Sequence, residues 1–132
     1  MEIRSIIFRG KKLDNGKWVQ GYCYELEKDR MMISSCIRRE AYEVNPETVG
    51  QYTGVEDCTG RKIFEGDLVK GFDSYTGEMY QDVTGIVEFR KGCFGAIWNG
   101  YFEPFAICDD EIIITGNVHD NPHITFLEEE QK

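Results

Sequence analysis

The sequence predicts an all-β fold, and three observations lead there. No apolar repeat of 3.6 residues persists for three turns anywhere before residue 121. Turn signals built on Gly, Asn, Asp and Pro recur about every ten residues, the spacing of a sandwich or barrel. Between them lie short runs rich in aromatic and β-branched side chains, such as RSIIFRG and KWVQGYCY, which suit a pleated, half-buried surface.

Taken in order, residues 4–10 read as a first strand and 17–24 as a second. Asp14-Asn15-Gly16 separates them and is expected to form a type I′ hairpin turn, which needs positive φ at both central positions. Residues 31–37 and 41–44 read as two more strands, with the charged Arg38-Arg39-Glu40 between them. The stretch from Asn45 to Val69 is punctuated by Pro46, Gly50, Gly54, Gly60 and Gly66. Val49, Tyr52, Val55, Ile63, Phe64, Leu68 and Val69 supply the apolar surface that docks it on a core. Strands follow at 83–89 and 93–98 around Lys91-Gly92, then, after Asn99-Gly100, at 101–106, broken by Pro104, and at 111–118. Asn121 as a cap and Pro122 as a first helical residue predict a short C-terminal helix. EGDLV, a polar loop, GIVEF, a turn and FGAIW have the layout of an SH3-like barrel. The expected organisation is an N-terminal β lobe at 1–59 and an SH3-like barrel with the C-terminal helix at 60–132.

At 132 residues the chain is long enough for a substantial core. Its apolar runs reach only four residues, at Phe105 to Cys108, far short of a membrane span, and the first residues show no apolar segment of a secretory signal. No membrane contact and a cytoplasmic location are the expectations. Five cysteines, at 23, 36, 58, 93 and 108, include no C-x-x-C pair, so free thiols are expected rather than a disulfide framework or a zinc site. The net charge of −9 is unevenly placed: residues 1–66 hold 11 basic and 11 acidic side chains, whereas 67–132 hold 4 basic and 13 acidic. That acidic half repels polyphosphates.

Candidate chemistry is sparse. His119, Asp120 and His123 form the one histidine cluster, but Pro122 starting a helix takes His119 off any face shared with His123, so no metal is expected. Glu65 and Asp67 flank Gly66, and an Asp at a tight turn serves the bend by accepting backbone N–H bonds. Cys36 beside Arg38 and Arg39 comes nearest to an activated thiol, and reads better as a half-buried strand residue. The sequence holds no nucleophile elbow and no phosphate-binding glycine loop, so neither catalytic residues nor a cofactor are expected.

Five separated pieces resemble the YopX family of bacteriophage and prophage proteins: IIFRGKKLDNGKWVQGY at 6–22, NPETVGQYTG at 45–54, GRKIFEGDLV at 60–69, GIVEF at 85–89 and ITGNVHDNP at 114–122. His123 departs from the acidic residue that more often follows this Asn-Pro pair in the family. The resemblance implies an all-β protein of phage or prophage origin in Gram-positive bacteria, and carries no biochemical activity with it. With the absence of a catalytic constellation, it points to a non-catalytic binding or assembly module acting on a host or phage protein or on further copies of itself, as a homo-oligomer. The alternative is a regulator of nucleic-acid transactions, by single-strand binding through the N-terminal lobe or by acidic mimicry of DNA through the C-terminal one. Direct nucleic-acid binding ranks below a protein partner, because Asp14, Glu25, Glu27 and Asp29 offset the local basic charge. The candidate interaction residues are Trp18, Tyr22, Arg38 and Arg39 in the first half and Asp82, Glu88, Asp109, Asp110 and Glu111 in the second.

Overall fold

Strand formation follows the alternation of apolar and polar side chains closely. The computed structural model describes residues 5–35, 37, 39–72, 76–78, 80, 83–107 and 111–121, and among these the chain is all-β, built from antiparallel strands. The C-terminal helix expected from Asn121 and Pro122 lies outside the described residues. The chain divides into two compact units, residues 1–54 and 55–132. This division follows Gly54 rather than the 59/60 boundary expected above, so the turn at Asp57 stands with the second unit.

The first unit contains β1 (Phe8–Lys11), β2 (Trp18–Glu27), β3 (Arg30–Ser35), β4 (Ala41–Val44) and most of β5 (Gly50–Glu56), with neighbours in the order β4-β3-β2-β1-β5. The β1–β2 turn is not the expected type I′. Gly16 takes a left-handed φ of 69° and Asn15 does not. Instead the Lys12 and Gly16 N–H groups donate to Lys17 O and Lys12 O, both at 2.9 Å, and the Asn15 side chain accepts the Lys17 N–H at 2.9 Å. Asn15 thus spends its amide oxygen on the backbone two residues on, which favours a longer turn.

The sheet then curls on itself. Lys12 bridges Val44, Leu13 N–H donates to Glu43 O at 3.0 Å, and Asn45 N–H donates to Lys11 O at 2.8 Å, so the far strand β4 meets the end of β1. Ile33 and Val44 are fully buried inside the curl. Gly10 makes room for them: a Cβ there would stand 3.1 Å from the Cβ of Val44. A 3-10 turn, Pro46–Thr48, follows, capped by the Asn45 side chain accepting the Glu47 N–H at 3.1 Å.

The second unit holds β6 (Lys62–Phe64), β7 (Asp67–Phe72), β8 (Gly85–Arg90), β9 (Cys93–Trp98), β10 (Tyr101–Pro104), a 3-10 turn (Phe105–Ile107) and β11 (Glu111–Asn117). Five of these form a sheet in the order β10-β9-β8-β7-β11. Its core face is Val69, Val87, Ala96, Ile112 and Ile114, which cluster with Ile63 of β6, and Val55, Trp98 and Phe105 pack against them. The sheet is open, with β10 and β11 as edges, where a closed barrel was expected. Pro104 lacks the N–H that would extend the ladder, and the chain turns away after it into the 3-10 turn.

Both short hairpins of this sheet carry the type I′ turn. Lys91 and Gly92 have φ of 50° and 85°, Asn99 and Gly100 have φ of 48° and 86°, and each pair sits between directly opposed strand residues. Gly92→Ala is therefore expected to cost ~1 kcal/mol, a fall of roughly 4 °C in Tm, read by circular dichroism melting. An unchanged Tm would refute the turn assignment. The Phe64 to Asp67 turn works as the sequence reading of Asp67 expects: Asp67 is 1% exposed and its Oδ2 accepts the Phe64 N–H at 2.8 Å.

Candidate functional site

Period-two alternation along β2 places Trp18, Gln20, Tyr22 and Tyr24 on one face of the first sheet. Their cross-strand neighbours share it: Lys11 opposite Trp18, Arg9 opposite Gln20, Ser34 opposite Tyr22 and Met32 opposite Tyr24. The guanidinium of Arg9 lies 4.7 Å from the centroid of the Trp18 ring and the Lys11 ammonium 5.4 Å from it, so two cations rest on one indole. Tyr22 is 63% exposed and Tyr24 44%. Glu43, opposite Met32 on this face, is held by Arg30, whose Nη2 and Nε donate to its two carboxylate oxygens at 2.9 and 3.1 Å. The Arg30 hydrogen bonds lower the carboxyl of Glu43 below the usual range and raise the guanidinium in turn. Glu43 thus stays ionised, with its charge offset by Arg30.

The curl opens at one rim into a cavity of about 760 Å³ lined by Lys12, Asn15, Lys17, Trp18, Val19, Gln20, Ser35, Ile37 and Tyr42. Lys12 Nζ sits 4.5 Å from the Tyr42 centroid, and the Tyr42 hydroxyl donates to Glu40. Trp18 and Gln20 belong to both the outer face and this rim. Arg39, exposed and left-handed at φ 57°, stands in the β3–β4 connection and does not line the cavity. Arg38 lies outside the described residues.

Of the acidic candidates, Asp82, Asp109 and Asp110 lie outside the described residues. Glu88 and Glu111 occupy the face of the second sheet opposite the core, but Lys70, from the intervening β7, shares that face. Glu88 is also paired with Arg90 at 2.9 Å. The described residues therefore supply no run of like charge there.

A smaller cavity, about 250 Å³, lies among Val55, Asp57, Cys58, Phe105, Glu111 and Ile112. Burial, together with the charges of Asp57 and Glu111, pushes the Cys58 thiol up, away from the thiolate a nucleophile needs. Burial raises Cys23 as well. Cys36 and His123 lie outside the described residues. His119 donates its N–H to the Asn117 side chain at 3.0 Å, and among the described residues no three His, Cys, Asp or Glu side chains come together as a metal site.

The family model for the YopX protein matches residues 7–125. The chain belongs to the YopX family. A search of curated proteins found no match. Within this YopX-family chain, Trp18 and Tyr22 do come together on one surface, as their spacing allowed. Tyr24 continues their period and was legible by the same count. Tyr42 was not, because only the curl of the sheet brings β4 to the rim. Among the described residues of the YopX chain, no helix is long and apolar enough to cross a membrane.

Proposed function

We infer that this YopX-family protein is a binding module of phage or prophage origin that works without catalysis in the host cytoplasm. Its working surface is the outer face and rim of the first unit. The second unit, read as an SH3-like module whose sheet is left open, is the scaffold. The observation that carries this reading is the exposed row of Trp18, Gln20, Tyr22 and Tyr24 with Arg9 and Lys11 set against it. Aromatic side chains with a polar tip, rigid and only partly buried, are what recognition surfaces use. The partner is a host or phage protein, a nucleic acid or a second copy of the chain.

Tyr22→Ala with Tyr24→Ala, compared with the wild type in pull-downs from prophage-carrying cells and in light scattering, is the test. The double variant is expected to keep its fold and lose at least tenfold in partner retention or in self-association. Turnover of a substrate that depends on Glu65 or His119 would overturn the reading, as would partner retention indifferent to both tyrosines.

A further inference from the structure

We propose that the outer face of the first unit and the rim it runs into bind single-stranded nucleic acid, with bases stacking on Trp18, Tyr22 and Tyr42 and phosphates meeting Arg9, Lys11, Lys12 and Lys17. This rests on the reading of that surface as the working one and names its ligand. Three features select the ligand. First, Arg9 and Lys11 share the outer face and Lys12 and Lys17 line the rim it runs into, in a chain whose net charge is −9, and Glu43 on the outer face is paired with Arg30. Second, aromatic rings lie beside these cations: Arg9 and Lys11 stand 4.7 and 5.4 Å from the Trp18 centroid, and Lys12 stands 4.5 Å from the Tyr42 centroid. A protein that follows a flexible strand needs that combination: a π face for each unstacked base and a positive charge for the phosphate beside it. Third, the cavity of about 760 Å³ has Asn15, Gln20 and Ser35 on its walls, amide and hydroxyl groups suited to the edges of a base.

A double helix fits less well. Its bases are already stacked on one another, so the rings would have nothing to receive, and affinity would rest on four cations alone. An acidic peptide would satisfy the cations and leave the aromatic rings unused.

The test is fluorescence anisotropy of labelled dT20 and of a 20-base-pair duplex with the full chain, at 50 and 200 mM NaCl. Saturable binding of dT20 is expected, at least tenfold tighter than the duplex. With about four phosphate contacts the logarithmic salt slope is expected near −3, a loss of roughly 50-fold across that range. Trp18→Ala should weaken binding roughly tenfold or more. Lys12→Ala with Lys17→Ala, at the rim and away from the packed interior, should reduce the salt slope by about one to two. The lysine variant keeps the test decisive if Trp18→Ala fails to fold. No saturable binding of dT20 by folded protein at 50 mM NaCl would overturn the proposal. So would equal affinity for the duplex, or equal binding of polyglutamate, or binding unchanged by both variants. If dT20 is not bound while partner capture still depends on Tyr22 and Tyr24, the nucleic-acid assignment falls and the binding-module reading stands. If neither is seen, both fall.

Discussion

Asp57→Ala is expected to destabilise the second unit by ~3 kcal/mol or more, lowering Tm by roughly 10 °C. The carboxylate is 7% exposed and accepts four hydrogen bonds. Oδ1 takes the Thr59 N–H at 2.9 Å, the Thr59 hydroxyl at 2.6 Å and the Arg61 N–H at 3.0 Å. Oδ2 takes the Ile114 N–H at 3.1 Å, from a strand 57 residues further along the chain. One side chain therefore shapes the turn before β6 and clips it to β11, beside the Cys58 N–H bond to Ile112 O. Removing it orphans a buried donor next to the Ile112 and Ile114 core, where water cannot replace the lost acceptor.

The same contacts predict a pH dependence. Burial pushes the Asp57 carboxyl up, but the Thr59 hydroxyl and the Ile114, Arg61 and Thr59 N–H groups outweigh it, so the folded value lies below the usual range. A depressed folded pKa means that the contribution is fully present above the unfolded value, near 4, and is lost as pH falls through the lower folded one. The wild type should therefore lose urea midpoint as pH falls below about 4, and Asp57→Asn should lose less over that range. Parallel pH profiles for the two proteins would sink this account.

Gly21→Ala is expected to be at least as damaging, ~3 kcal/mol or more, for a different reason. A Cβ at Gly21 would stand 1.8 Å from the carbonyl oxygen of Ser34. That atom is backbone, within the β2–β3 pairing that sets Gly21 opposite Ser35, so no rotamer change relieves the overlap. The strands would have to part where Gln20 and Tyr22 flank the glycine on the proposed binding surface. Gly16→Ala makes the contrast: nothing lies within 4 Å of that position, and only its φ of 69° is strained, a cost of about 1 kcal/mol. Thermal melts of the two variants should differ by several degrees, and equal melts would show that β2 and β3 do not approach as described.

Much of the fold was legible because it is local. The strand at Ala41–Val44 and the one at Cys93–Trp98 fall where alternation and turn residues put them, and Lys91-Gly92 and Asn99-Gly100 turn as their residue types require. Asn15-Gly16 did not, because a side-chain acceptor at Asn15 competes with the backbone turn, and that competition is decided by which atoms lie within reach. The candidate surface was half legible. Trp18 and Tyr22 share a face by simple alternation, and their cations could be counted in the sequence.

By itself, then, the sequence determined an all-β chain, the YopX resemblance, and a first half whose bases balance its acids. Those properties depend on residue type and on spacings of a few positions. Tertiary structure alone decided which of the two tryptophans does what: Trp98 covers Gly85 against the second core, at 2.9 Å from where a Cβ would be, while Trp18 faces outward under Arg9 and Lys11. It also decided that Asp57 reaches Ile114, that Tyr42 meets Lys12, and that the second sheet stays open at Pro104. Each of these depends on which strands meet after the chain has turned several times, and pairing at that range is set by the whole packed arrangement rather than by any local pattern.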